Sequence, residues 1–409
     1  MALPGVSIEI GSGGLGRVAA TSDGVAGLIL TGRATYEKDT NESGVKYDER
    51  YQISSLNDLN ALGITMANNP LAAHEVQSFY AQAGEGSELH LMLVAEGTRL
   101  SEMVTSTAER QSPLAKLVES AGGRIRIVGI NRLAQPEEEE NNEQGIDEDA
   151  IIAAQAAQDC AESFASRIMP VRIFLPAERW KQGGSWKPSG ASFNRVAMVL
   201  ASDYECRREK EDGATENPQY PAAIGLVLGR AAKAEPQQDL GRVKFGSIAA
   251  QGYFTDGTDF LEKQGEAEAL NDAGYIFFMN YPGKNGCYLN GCPMATSPSD
   301  DYATLNNGRI MDKAVCIAYD TYISEIMDNV QVGEDGKLPS GVCTSFESMI
   351  ENAVASLMDG QISSFKAYVD PEQNILSTSK LTVECRIVPL GVLKNIRVTL
   401  AFSNPALEK

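Results

Sequence analysis

This sequence is poor in the residues on which most side-chain chemistry relies. Of 409 residues only two are histidines, His74 and His90, and only two are tryptophans, Trp180 and Trp186. So little imidazole argues against a zinc centre and against most acid–base or triad mechanisms. The seven cysteines are odd in number and scattered from Cys160 to Cys385 in a long chain. They read as reduced thiols of a protein made in a cytoplasm, not as a disulfide framework. No Lys/Arg-rich run relieves the formal net charge of −20, which sets the molecule against nucleic acid. No apolar run approaches the ~18 residues of a membrane span. The N-terminus lacks a basic stretch followed by an apolar one, so no signal peptide is expected. There is no P-loop, no nucleophile elbow and no repeat of solenoid period.

What is present is a large core: 43% of the residues are hydrophobic, and the length suits two or three domains. Val6-Ser7-Ile8-Glu9-Ile10 reads as a strand and runs into a glycine-rich turn, Gly11 to Gly16. From Val25 to about Ala234, strand-like runs alternate with helical ones, the mark of an α/β layer with a largely parallel sheet. The strand runs are Val25–Leu30, Leu89–Val94, Arg124–Val128, Val171–Leu175 and Val196–Ala201. The helical runs carry start signals: Asn69-Pro70, Ser112-Pro113, Asp147 to Asp149 before an alanine-rich stretch, and Pro221 in a helix expected over Tyr220–Ala234. Gln135 to Asp149 interrupts the pattern as an exposed acidic loop. From Asp239 to Asp301 the chain is loop-rich. It includes a helix around Leu270, a strand at Tyr275–Met279 and a Gly/Asn/Cys-rich hairpin at Cys287–Cys292.

The last hundred residues form the clearest unit. Met311, Val315, Ala318, Tyr322 and Ile326 make one helical stripe. Gly333 to Gly336 is a turn; Thr344 and Glu347 then have capping-box spacing before a second helix faced by Phe346, Ile350, Ala353 and Leu357. Three strand-like runs follow, carried by Phe365/Ala367/Val369, by Leu381/Val383/Cys385/Ile387 and by Ile396/Val398/Leu400/Phe402. Strand-forming arms at both ends suit a polymer subunit that pairs its edges with neighbours.

Several tempting signals have blander readings. Gly11-Ser12-Gly13-Gly14-Leu15-Gly16 fits G-x-G-x-x-G, the basis of a rival reading as a nucleotide-binding protein or α/β enzyme. Only a turn or two of helix fits before Asp23-Gly24, and no acidic ribose partner follows Leu30, so a flexible linker is favoured. Cys287 and Cys292 lack further ligands for a metal. Glu137 to Glu140 and Asp300-Asp301 read as solvated loop charge, His74 as a solvated or interface histidine, and the two tryptophans as partly buried loop or interface anchors.

The ordered landmarks resemble the sheath proteins of contractile phage tails and of related contractile injection systems. Leu3-Pro4-Gly5-Val6 is similar to the family's N-terminal arm, and Val25–Gly32 to the strand entering the body. Tyr51 to Leu56 with Leu62-Gly63, then Ala73 to Tyr80, follow in family order. Leu270-Asn271-Asp272-Ala273-Gly274 and Leu305-Asn306-Asn307-Gly308-Arg309 resemble the approach to the C-terminal domain. Where sheaths often carry Trp-Gly-x-Arg-Thr, this chain has Leu289 to Thr296, the sign of a divergent branch.

The resemblance implies an α/β plus α+β subunit with no enzymatic activity, cofactor or metal. Its expected parts are an N-terminal arm at 1–18, an α/β body at 19–302 with a possible subdivision near 240, a C-terminal domain at 303–395 and a C-terminal arm at 396–409. It implies stacked rings of the same chain around a tail tube protein, with baseplate and terminator partners, in a virion tail assembled in a bacterial host's cytoplasm. A baseplate component is the other structural role considered. Val6, Ser7, Ile8, Glu9 and Ile10, and Ile396, Arg397, Val398, Thr399, Leu400 and Phe402, would be the exchanged strands. Arg309, Lys313 and Glu347 would face the tube.

Overall fold

A computed structural model describes residues 22–37, 41–135, 138, 141–207 and 218–403. The arm residues Val6 to Ile10 and the glycines of Gly11–Gly16 lie outside these. The body is built on one seven-stranded sheet. In chain order its strands are β1 (Ala26–Gly32), β2 (Tyr51–Ile53), β3 (Leu89–Ala95), β4 (Ile127–Asn131), β5 (Arg172–Pro176), then, after a two-residue β6 (Ser192–Phe193), β7 (Val196–Val199). Three more short strands follow: β8 (Ala201–Ser202), β9 (Tyr253–Phe254) and β10 (Tyr275–Ile276). The sheet order is β10-β7-β5-β4-β1-β3-β2, parallel except for β2. Central strands of a parallel sheet are covered on both faces, which is why β1, β4 and β5 are buried along their whole length.

Helices α1 (Leu56–Ala61), α2 (Pro70–Ala83), α3 (Leu100–Val104), α4 (Pro113–Ser120), α5 (Glu148–Ser166) and α6 (Ile224–Lys233) connect and cover these strands. Local capping accounts for several starts: Ser55, Ser112 and Asp147 accept from Asp58 N, Ala115 N and Asp149 N. Asn69 makes no side-chain cap; its amide accepts from Arg33 N at 2.6 Å and donates to Arg33 O at 3.1 Å, pinning the end of β1.

Tertiary packing moved several boundaries. The helix expected from Tyr220 begins at Ile224. The strand expected at Arg124–Val128 is β4, displaced to Ile127–Asn131. The single strand expected at Tyr275–Met279 is divided. β10 completes the main sheet, and β11 (Phe278–Met279) pairs with β12 (Tyr288–Leu289) after α7 (Ala267–Ala273). β13 (Ala295–Thr296) pairs with β6.

The acidic interruption is not simply solvated. Glu138 accepts from Arg132 Nη1 and Nη2 at 2.9 and 2.7 Å, and Asp147 from Arg179 at 3.0 Å. Arg132, itself buried, also gives Nε to both oxygens of buried Glu178 at 3.0 Å. A buried guanidinium needs carboxylates, and the acidic segment supplies one.

His74 is likewise half-buried and partnered. Its Nε2 lies 3.0 Å from Asp203 Oδ2 and its ring stacks on Tyr204, centroids 4.1 Å apart. Trp180 is buried against Phe254, whereas Trp186 is half-buried beside Tyr275.

The C-terminal part has two long helices, α8 (Leu305–Tyr322) and α9 (Ser340–Leu357), and an antiparallel pair, β14 (Ile362–Tyr368) and β15 (Glu384–Pro389), with a short α10 (Ile375–Thr378) between them. Ile310, Ala314 and Ile317 of α8 meet Ile350 and Val354 of α9, and Met358 just after it, in its core. The expected stripe is therefore rotated: Val315 and Ile326 are exposed, while Ala318 and Tyr322 pack at the core's margin. The expected cap at Thr344 lies inside α9, which starts at Ser340 after Pro339 because Leu338 N is held by Pro371 O at 3.0 Å. The expected last strand, 396–402, forms no ladder here.

Helices α2 and α6 approach closely through glycines of α6. A Cβ on Gly229 would lie 2.3 Å from Phe79 O. Gly229→Ala gains about 1 kcal/mol of helix propensity but forces the helices apart. A net loss of about 1–3 kcal/mol is expected, read as a lower melting temperature.

Glu75 in the same seam is buried, with Oε1 2.8 Å from Asn131 Nδ2 and Oε2 accepting from Gly225 N. Burial, helped by Asp203 and opposed by His74, raises its pKa to about 8. At His74, burial acts downward, but Asp203 outweighs it and the net direction is up. For both groups the folded value stands above the ordinary one. Their stabilisation is complete below the ordinary value and is lost as pH rises through the folded one. The protein should melt lower at about pH 9 than at about pH 6, and Glu75→Gln should flatten that dependence. An unchanged pH profile in the variant contradicts the assignment.

Candidate assembly interface

The C-terminal module is seated on the body through α8, whose two opposite faces are both buried. One face supplies the small core described above. The other meets the body through charge. Arg172 opens β5 and is 2% exposed, the largest fully buried side chain among those described. Its Nε and Nη2 donate to Asp312 Oδ2 and Oδ1 at 2.7 and 3.1 Å, and its Nη1 to Asn194 O at 2.7 Å. Arg195 adds a third donor to Asp312 Oδ1 at 3.1 Å. Gly308 makes room for this arrangement: a Cβ there would lie 2.4 Å from the Arg172 guanidinium carbon.

One turn away, Arg309 donates Nη1 to Ala231 O and Nη2 to Asp23 O, both at 3.0 Å. Burial pulls its pKa down to about 10, with the Asp23 charge opposing. Lys313 Nζ meets Asp23 Oδ2 at 2.7 Å. The module thus grips the chain where it enters β1.

Arg309 and Lys313 are therefore occupied inside the subunit, not displayed as the tube-facing expectation had them. Glu347 is half-buried and accepts from Val369 N at 2.8 Å. Asp300, expected to be solvated, accepts from Thr296 Oγ1 at 3.0 Å and Tyr302 N at 2.8 Å. Arg172, Arg195, Asp312 and Asp23 went unnoticed in the sequence. The available signals were an arginine at the head of the apolar run Ile173-Phe174-Leu175, and Asp312 three residues after Arg309.

The exposed side of the module is unfinished. Ile362, Phe365, Ala367 and Ile387 point at the helices yet remain only half-buried. Beyond β15, residues 390–403 carry no helix or strand. Ile396, Val398, Leu400 and Phe402 are 79%, 71%, 90% and 109% exposed, and Arg397 and Thr399 between them are exposed as well. Among the described residues no cluster of three or more His, Cys, Asp or Glu is placed to hold a metal, and no helix is long and apolar enough to cross a membrane.

The fold is similar to that of solved sheath and baseplate chains of contractile systems. A chain of the anti-feeding prophage helical sheath in its contracted state superposes with TM-score 0.59 at 14% identity, covering 98% of this chain and 99% of that one. A chain of the anti-feeding prophage baseplate gives 0.56 at 14% identity, covering 99% and 100%. The crystal structure of the sheath tail protein from Desulfitobacterium hafniense gives 0.53 at 11% identity, covering 94% and 100%. The family description "DUF2586, N-terminal domain" matches residues 3–292 and "DUF2586, C-terminal domain" residues 301–407, so the chain belongs to the DUF2586 family. No curated protein matches it.

Removing one partner of a buried ion pair strands the other charge, at a cost of roughly 3–5 kcal/mol. Asp312→Ala should therefore lower the melting temperature and let limited proteolysis cut near residues 293–304, releasing the C-terminal module. Equal resistance of variant and wild type would show that the pair does not hold the junction.

Proposed function

We propose that the protein is the structural subunit of a contractile sheath. It polymerises with copies of itself around an inner tube and shortens to drive that tube forward. The observation that carries this reading is the mismatch within the C-terminal module. Two helices lying side by side span about 20 Å, the width of about four strands at ~4.8 Å spacing. Among the described residues only two strands are there, and their inward residues are half-covered. An extended segment with apolar side chains at every second position supplies what such a sheet lacks. Segment 396–402 has that pattern and forms no strand pairing with the described residues of its own subunit. The segment Val6–Ile10 has the same pattern in the sequence.

Main-chain pairing of this kind tolerates large rotations, because the strands are tethered through short linkers such as Pro389–Lys394. The drive would be the free-energy difference between two subunit packings. No fuel or cofactor is needed. The fold shared with a baseplate chain keeps a ring-limited baseplate role as the second reading.

Electron microscopy of the purified chain at high concentration, with and without a tube partner, should show rings and tubes. Discrete rings without elongation favour the baseplate role. Deleting 396–409 should leave far-ultraviolet circular dichroism and melting unchanged while abolishing tubes. Tubes from the truncated chain would refute strand exchange.

A further inference from the structure

We infer that the two edges of the β14–β15 pair are not equivalent: α9 closes the β14 edge with two carboxylates, so the incoming strand of a second copy adds to the outer edge of β15. This rests on the sheath reading and specifies its contact. In an antiparallel pair, alternate residues turn their N–H and C=O groups toward the partner strand and away from it. Ala367 is opposite Cys385, and Lys366 is opposite Arg386. Ala367 N donates to Glu351 Oε1 at 3.1 Å, and Val369 N to Glu347 Oε1 at 2.8 Å. Those amides therefore point away from β15, along the outer edge of β14. Glu347 and Glu351, one turn apart on α9, fill the positions a docking strand would take.

Parity then turns the main chain of Cys385 and Ile387 outward on β15. Among the described residues no side chain bonds to either. Unguarded edge donors and acceptors are a template for strand addition, and carboxylates set against an edge are a means of preventing it.

The occupant is segment 396–402 of a second copy. It carries Arg397, and Lys394 just before it, with no acidic residue from 390 to 403, in a chain of net charge −20. Its own hairpin cannot easily receive it. The segment leaves β15 toward the body, bringing Lys394 near enough to half-buried Asp239 for its charge to act there.

The test is amide hydrogen exchange on the full chain with and without a synthetic peptide of residues 393–403, followed by titration of Glu347→Ala/Glu351→Ala. Protection is expected to rise in 384–389 and not in 362–369, with one peptide bound per chain. In the double variant the β14 edge is released, and the count should rise toward two. Protection gained in 362–369 of the wild type overturns the edge assignment and leaves strand exchange standing. A peptide that binds nowhere on a chain that also forms no tubes removes both. If the double variant fails to fold, the wild-type exchange pattern decides alone.

Discussion

A guanidinium cannot be sealed inside a protein without acceptors arranged around it, and Arg172 imposes that requirement on the junction. Its position at the head of a central parallel strand keeps it from reaching water. Asp312, aided by Asn194 O, meets its donors, and α8 must lie where Asp312 can do so. Gly308 lets the helix backbone come close enough. Arg309 and Lys313, on the same helix, then fall on Asp23 beside the first strand. Such a pair specifies geometry more than it adds stability, since its desolvation cost offsets most of the attraction. Here it specifies how a small α+β module is set against a large α/β body.

That division of labour leaves the module's other side free. The body is self-sufficient: its parallel sheet is covered on both faces and its edges are short. The module is not, because a two-stranded sheet is too narrow for the helices above it. In the proposed assembly a strand from a second copy would complete it, and the carboxylates bonded to the β14 amides would give that addition a direction.

Much of the architecture was legible in the chain. Alternating apolar runs and proline- or serine-marked helix starts place the body's helices and strands, because capping and turn chemistry are local. The landmark Leu305-Asn306-Asn307-Gly308-Arg309 was visible as a pattern, but its meaning was not. Gly308 makes room for a side chain more than a hundred residues away, Arg172, and Arg309 donates to the distant carbonyls of Ala231 and Asp23. The rotated stripe of α8 failed for the same reason. Periodicity finds an apolar face, and this helix buries a second face by charge.

What the sequence determined alone was the kind of layer each segment forms and the apolar alternation of 396–402, since both follow from side-chain periodicity against a single backbone geometry. Only the tertiary structure decided which charges are internal, how α8 is oriented, and where Glu138, Glu347 and Glu351 find their donors. Those outcomes depend on burial and on partners distant in the chain, and local sequence carries no information about either.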